Sequence, residues 1–237
     1  MNAFVSSMRT RILVAVLVVL GIAVAGTAGW LFLGRDWMQA RQEARLDEAL
    51  RNDARVAETY AAIRERNTQI AERGEDVELL LSLGNLWKAV GDVTADVRHY
   101  NRAIEAYERG VAASDGKNSL LLQNLATALR LAKRPEDAER VLRQAIEVNP
   151  GDPQLYILLV EVLHTDLQRE SKDIIDVYRL GLDRLVDNAP LVQSLAMYLE
   201  SLGRLKEALV YYQLLATKHP GFEEKIASLK RQIEAQP

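Results

Sequence analysis

A chain of 237 residues in which 49% are hydrophobic and 27% charged carries enough apolar side chains for a folded core, which excludes an intrinsically disordered protein. The absence of cysteine rules out a disulfide framework and a thiolate metal site. A formal net charge of −3, more acidic still once the arginines framing the N-terminal apolar run are set aside, disfavours nucleic acid as a partner.

Residues 1–11 form a short basic head containing Arg9 and Arg11 and no acid. From Ile12 to Leu33 there are 22 residues without a charge, which as a helix reach about 33 Å and match a hydrocarbon core of roughly 30 Å. Thirteen of them are Leu, Ile, Val or Phe, favouring insertion by about 5 kcal/mol before glycine and threonine subtract some. Residues 12–34 are therefore predicted to be a transmembrane helix, with Trp30, Phe32 and Trp37 at the headgroup level of its C-terminal end. Gly21, Ala25 and Gly29 recur every four residues and place small residues on one face, where a second membrane helix can approach. A cleaved signal peptide is the rival reading, because Ala23-Val24-Ala25 resembles a cleavage site, but the apolar run continues through "GTAGWLFLG". Basic residues on the two sides of the span differ weakly; the head is expected in the cytoplasm and the bulk of the chain in the periplasm, anchored by a single pass in an inner membrane.

Residues 35–76 read as a helical spacer rich in Ala, Arg, Glu and Gln, with Leu46, Leu50, Ala57 and Ala61 as a thin apolar stripe better suited to a spacer than to a coiled coil.

Residues 77–221 repeat. Four first-helix patterns, "LLSLGNLW" from Leu80, "LLQNLATAL" from Leu121, "YILLVEVL" from Tyr156 and "VQSLAMYL" from Val192, place the pairs Leu83-Gly84, Leu125-Ala126, Leu159-Val160 and Leu195-Ala196 at intervals of 42, 34 and 36 residues. Each is followed by a second pattern of small and large residues: Ala103, Tyr107 and Gly110; Ala138, Leu142, Ala145 and Pro150; Ile174, Tyr178 and Gly181; Ala208, Tyr212 and Pro220. Small residues let antiparallel helices approach, large ones fill the space beside them, and the closing proline stops the second helix.

On these residues the chain resembles the tetratricopeptide repeat family, whose unit runs W-x2-L-G-x2-Y, then A-x3-F, then P. Leu83, Gly84 and Trp87, with Gly91 at the turn, fit the first unit, and Gly203, Ala208, Tyr212 and Pro220 fit the last. The resemblance implies an all-α, TPR-like α-α solenoid of four hairpins, here with an N-terminal transmembrane helix. Two departures stand out: seven extra residues between Gly84 and Ala103, which predict a longer hairpin, and bulky Val160 and Ile174 with two extra residues in the third unit, which predict a looser crossing. Residues 222–237 are expected to cap the stack, with Phe222, Ile226, Leu229 and Ile233 on one stripe.

No catalytic, cofactor or metal site is predicted, and the chain is not read as an enzyme. "GVAASDGKNS" misses the phosphate-loop spacing by one residue and has Asn118 in place of a hydroxyl. His99, His164 and His219 have no partner at metal-ligand spacing, and Glu170 and Asp173 read as solvated. Solenoids of this kind bind through the surface lined by first helices. One helical step from the packing residues lie Asn85, Lys88, Gln123, Thr127, Arg130, Glu161, His164, Gln193, Met197 and Glu200, the predicted groove for protein or peptide partners. Family members that clamp a terminal carboxylate use lysines and asparagines here. Asn85 and Asn124 fit, but Leu81, Gln154 and Leu158 occupy the basic positions, which argues against such a clamp. The function expected is a membrane-tethered interaction scaffold, an assembly or quality-control factor, with a fixed subunit of a larger membrane complex as the alternative.

Overall fold

The computed structural model describes residues 48–235 together with Arg41, Ala44 and Arg45. The basic head, the span at 12–34 and its Gly21, Ala25 and Gly29 face lie outside the described residues; among those described, no helix is long and apolar enough to cross a membrane. The chain divides into two compact units, Met1–Glu58 and Thr59–Pro237. In the first, residues 48–52 are helical.

The described elements that follow are all helical: α1 (Ala57–Arg73), α2 (Val77–Thr94), α3 (Val97–Ala113), α4 (Ser119–Leu131), α5 (Pro135–Val148), α6 (Pro153–Glu161) running into a π-turn (Val162–Asp166), α7 (Ser171–Arg184), α8 (Ala189–Ser201), α9 (Leu205–Ala216) and α10 (Glu223–Glu234). The helices pair as α2–α3, α4–α5, α6–α7 and α8–α9, and each hairpin packs on the next.

Every first helix of a hairpin opens on a short acceptor side chain. Asp76, Asn118, Asp152 and Asn188 accept bonds from the backbone N–H of Glu78 and Leu79, Leu121, Gln154 and Leu191 respectively, satisfying donors that the helix itself cannot. These caps fall at the same intervals of 42, 34 and 36 residues as the pairs that begin at Leu83, Leu125, Leu159 and Leu195, so the period is written twice in the sequence. At the tips of the second and fourth hairpins the chain takes one left-handed residue, Lys133 (φ 60°) and Gly203 (φ 71°). The following amides, of Arg134 and Arg204, reach back to the carbonyls of Leu129 and Leu199 at 2.9 Å, and each tip thus closes with a Schellman motif.

Packing follows the small-and-large spacing. Ala138, Leu142 and Ala145 have no exposed surface, and neither do Ala103, Tyr107, Ile174 and Ala208. In the first hairpin the ring of Tyr107 lies directly on Gly84, so that a Cβ there would sit 2.3 Å from the ring. Gly91, expected at the turn, instead belongs to the interior of α2 and receives the ring of Tyr100; the turn comes later, at Ala95 (φ 55°). The cause is the insertion, which lengthens both helices: α2 and α3 have 18 and 17 residues against 13 and 14 in α4 and α5. Glycine is required at 91 by the close approach of a ring rather than by chain reversal.

In the third hairpin the extra residues are taken up by the π-turn and by the loop ahead of α7, where Gln168 is left-handed (φ 51°). Ile174 fills the position that alanine holds elsewhere, and the backbones of α6 and α7 run close over less of their length than in the other pairs.

The apolar stripe of α1 is made by Tyr60, Ile63 and Ile70, which are buried, while Ala61 is exposed. Tyr60 sets its ring edge-on to Trp87 of α2 at 6.1 Å, so from Thr59 onward this helix makes an aromatic contact with the repeats. At the other end α10 buries Leu229 and half-buries Phe222, Ile226 and Ile233, with Phe222 beside the ring of Tyr212.

Candidate functional site

The first helices of the hairpins form one row: α2 lies beside α4, α6 lies beside α8, and an ion-pair network ties α4 to α6. That row carries the predicted groove residues, and several of them are held by neighbours. Asn85 Oδ1 accepts a 2.7 Å bond from the Tyr107 hydroxyl, whose proton is held more tightly than usual because the ring is buried. Lys88 pairs with Asp92 one turn on, at 2.6 Å. The Thr127 hydroxyl donates to the carbonyl of Gln123 at 3.0 Å.

Arg130 is the centre of the network. Its Nε meets Asp166 at 2.5 Å and its Nη2 meets Glu161 at 2.9 Å, and with only 18% of its side chain exposed it is the least accessible charge in the row. The π-turn brings Asp166 there. Glu200 works similarly at the far end, accepting from the Tyr212 hydroxyl at 3.2 Å and from Lys225 Nζ at 2.7 Å, which joins α8, α9 and α10. Burial and this carboxylate push Tyr212 up to about 12.

The accessible remainder is made of carboxamides, one imidazole and apolar side chains. Gln193 and His164 are exposed, Gln123 is half-buried, Met197 is 57% exposed and Leu120, which the sequence reading did not single out, is 51% exposed. His164, on the π-turn, presents its ring edge-on to Tyr198 at 5.3 Å. Both basic groove residues, Lys88 and Arg130, are already paired to carboxylates, so the row offers a peptide carboxylate no uncompensated cation. What it offers is carboxamides, which donate and accept, beside exposed apolar side chains: chemistry suited to a peptide backbone and apolar side groups.

On the other face a cleft of about 390 Å³ opens between α5 and α7, where Arg143 and Arg169 both turn onto Glu139. Among the described residues, no group of three or more His, Asp or Glu side chains is placed to hold a metal ion.

Residues 119–162 match the tetratricopeptide repeat family model. No curated protein sequence matches the chain. Among solved structures the fold is similar to that of MamA, with a TM-score of 0.54 and 23% identity over 78% of this chain and 93% of that one. It is also similar to MamA from Desulfovibrio magneticus RS-1 (residue 41 to the end; TM-score 0.51, 17% identity, 83% of this chain and 97% of that one). YrrB, described as a TPR protein with an unusual peptide-binding site, superposes with a TM-score of 0.51 at 17% identity, over 72% of this chain and 84% of that one. At such identities the likeness speaks for the fold, an all-α TPR-like helical repeat domain.

Proposed function

We propose that this chain is a membrane-tethered scaffold that recruits protein clients or subunits through the row of first helices, as an assembly or quality-control factor. The observation that carries the reading is the contrast within the row: its two basic residues, Lys88 and Arg130, are already paired to carboxylates, while Leu120 and Gln123 on the second hairpin and Gln193 and Met197 on the fourth stay wholly or partly exposed. The peptide-binding site named for YrrB supports the same use of the fold. The tether rests on the uncharged run from Ile12 to Leu33, with residues 12–34 spanning the inner membrane and the repeats in the periplasm.

Fractionation and a C-terminal reporter test the tether. Full-length chain in the membrane fraction, with signal from a reporter active only outside the cytoplasm, is expected; a shortened soluble product overturns the anchor, and a cytoplasm-only signal reverses the orientation. A fixed subunit of a larger membrane complex is the second reading, favoured by Gly21, Ala25 and Gly29 on one face of the span. Purification from detergent separates the two: constant stoichiometry with the same partners marks a subunit, and variable, substoichiometric clients mark a recruiter.

A further inference from the structure

His99 is the one buried polar or charged residue among those described, with 2% of its surface exposed, and nothing in the groove uses it. Its surroundings define its protonation. The Thr94 hydroxyl already donates to the carbonyl of Val90 at 2.8 Å, so its oxygen is an acceptor for the imidazole, whose Nδ1 lies 2.7 Å away. The proton therefore sits on Nδ1, and Nε2 carries a bare lone pair in a buried position with no partner.

The imidazole also lies nearly parallel to Trp87, at 6.0 Å and 17°. Trp87 receives the edge of Tyr60 from α1 on one side and the Arg102 guanidinium over its ring at 5.3 Å. The three rings thus run from α3 through α2 to α1.

We infer that Tyr60, Trp87 and His99 form a proton-sensitive joint: uptake of a proton at Nε2 of His99 loosens the first hairpin and releases α1, while the second to fourth hairpins stay folded. A proton on Nε2 would be a buried N–H with no acceptor. Groups around the ring give it little return. Trp87 and Thr94 of α2 do not titrate, Tyr60 of α1 carries Arg64 over its ring at 6.0 Å, and Arg98 and Arg102 of α3 oppose a further positive charge. Asp96 favours it, but its carboxylate is already clasped by Arg98. Burial is the largest influence and holds the imidazole below its ordinary range, with Asp96 pulling the other way and the two arginines adding to the depression.

The direction follows from linkage. The unfolded segment takes up the proton near the free-histidine range, about pH 6.5, and the folded one only lower, so the joint is fully stable above that pH and weakens as pH falls below it. A terminal hairpin in a stack has one neighbour fewer and opens independently of the rest. Under the tethered reading, released α1 would add slack between span and repeats; the joint itself does not depend on that reading.

Hydrogen exchange on the full chain in detergent, expressed as protection factors at pH 7.5 and 5.0, tests the inference. Protection should fall severalfold in residues 59–73 and 77–113 and hold in 119–216, and His99→Phe, which keeps a ring beside Trp87 but cannot titrate, should abolish the difference. An even loss along the chain, or an unchanged pH response in His99→Phe, overturns it. Should that variant fold poorly, NMR titration of the labelled His99 in the unmodified chain decides the matter: it must titrate below the free-histidine range of about 6.5, and a value at or above that overturns the joint.

Discussion

Replacing Gly84 by alanine adds one methyl group where none fits. The new Cβ would lie 2.3 Å, 2.5 Å and 2.8 Å from three carbons of the Tyr107 ring. That ring has no exposed surface, and its hydroxyl is anchored on Asn85 at 2.7 Å, so it cannot swing aside without breaking the bond. Overpacking of this kind costs about 1–3 kcal/mol, and the strained hydroxyl bond adds about 0.5–1.5 kcal/mol. Against this, alanine is favoured over glycine inside a helix by about 1 kcal/mol. The net expectation is a loss of about 2 kcal/mol, read as a lower midpoint in urea unfolding followed by far-UV circular dichroism of the solubilised full chain. With Tyr107→Leu as background the ring edge is gone and the sign should reverse, Gly84→Ala then gaining up to about 1 kcal/mol, so the two sites should couple strongly. If Gly84→Ala in the presence of Tyr107 proves as stable as the parent, the interlock of glycine and ring does not hold the first hairpin together.

Four further expectations follow from particular contacts. Lys133→Gly relieves a left-handed lysine and should raise stability by about 0.5–1 kcal/mol, whereas Gly203→Ala at the equivalent turn should lower it by about 1 kcal/mol; both are read from unfolding midpoints. Ala138→Phe should overpack α5 against its neighbours and cost about 1–3 kcal/mol by the same assay. Arg130→Ala leaves Glu161 and Asp166 of the third hairpin without the cation that ties them to the second and should destabilise by about 1–2 kcal/mol, an effect that salt weakens; Glu161→Ala, at a half-exposed carboxylate, should stay within about 0.5 kcal/mol. Arg98 holds the Asp96 carboxyl down to about 2, so this group stabilises the fold above about pH 4 and the contribution drains away as pH falls towards 2; acid titration of Asp96→Asn by circular dichroism should show a flatter limb over that window.

The repeat was legible because it is enforced by contact: a small residue and a large one must meet at every helix crossing, and a four-residue step on a helix keeps them on one face. The Asp and Asn caps at 76, 118, 152 and 188 carried the same period and are an independent signal that the small-and-large spacing did not need. Gly91 was misplaced because glycine serves both at turns and under rings, and only the register of Tyr100 across the hairpin tells which. The stripe of α1 was drawn through alanines because its true members, Tyr60, Ile63 and Ile70, lie at spacings of three and seven among polar residues. The groove was legible as a row of positions and less so as chemistry. Whether Arg130 is available to a partner depends on Asp166, 36 residues away, and on a π-turn that no residue type announces.

Photo-crosslinking in living cells tests the central claim most directly. With a photoreactive residue placed singly at Gln123, Gln193 or Met197 on the first-helix row, and at Arg140 or Lys172 on exposed second-helix positions, the row is expected to capture a common set of proteins that the other positions do not. Capture of the same proteins from Arg140 or Lys172, with none from Gln123, Gln193 and Met197, would contradict the account and move the binding surface to the second helices.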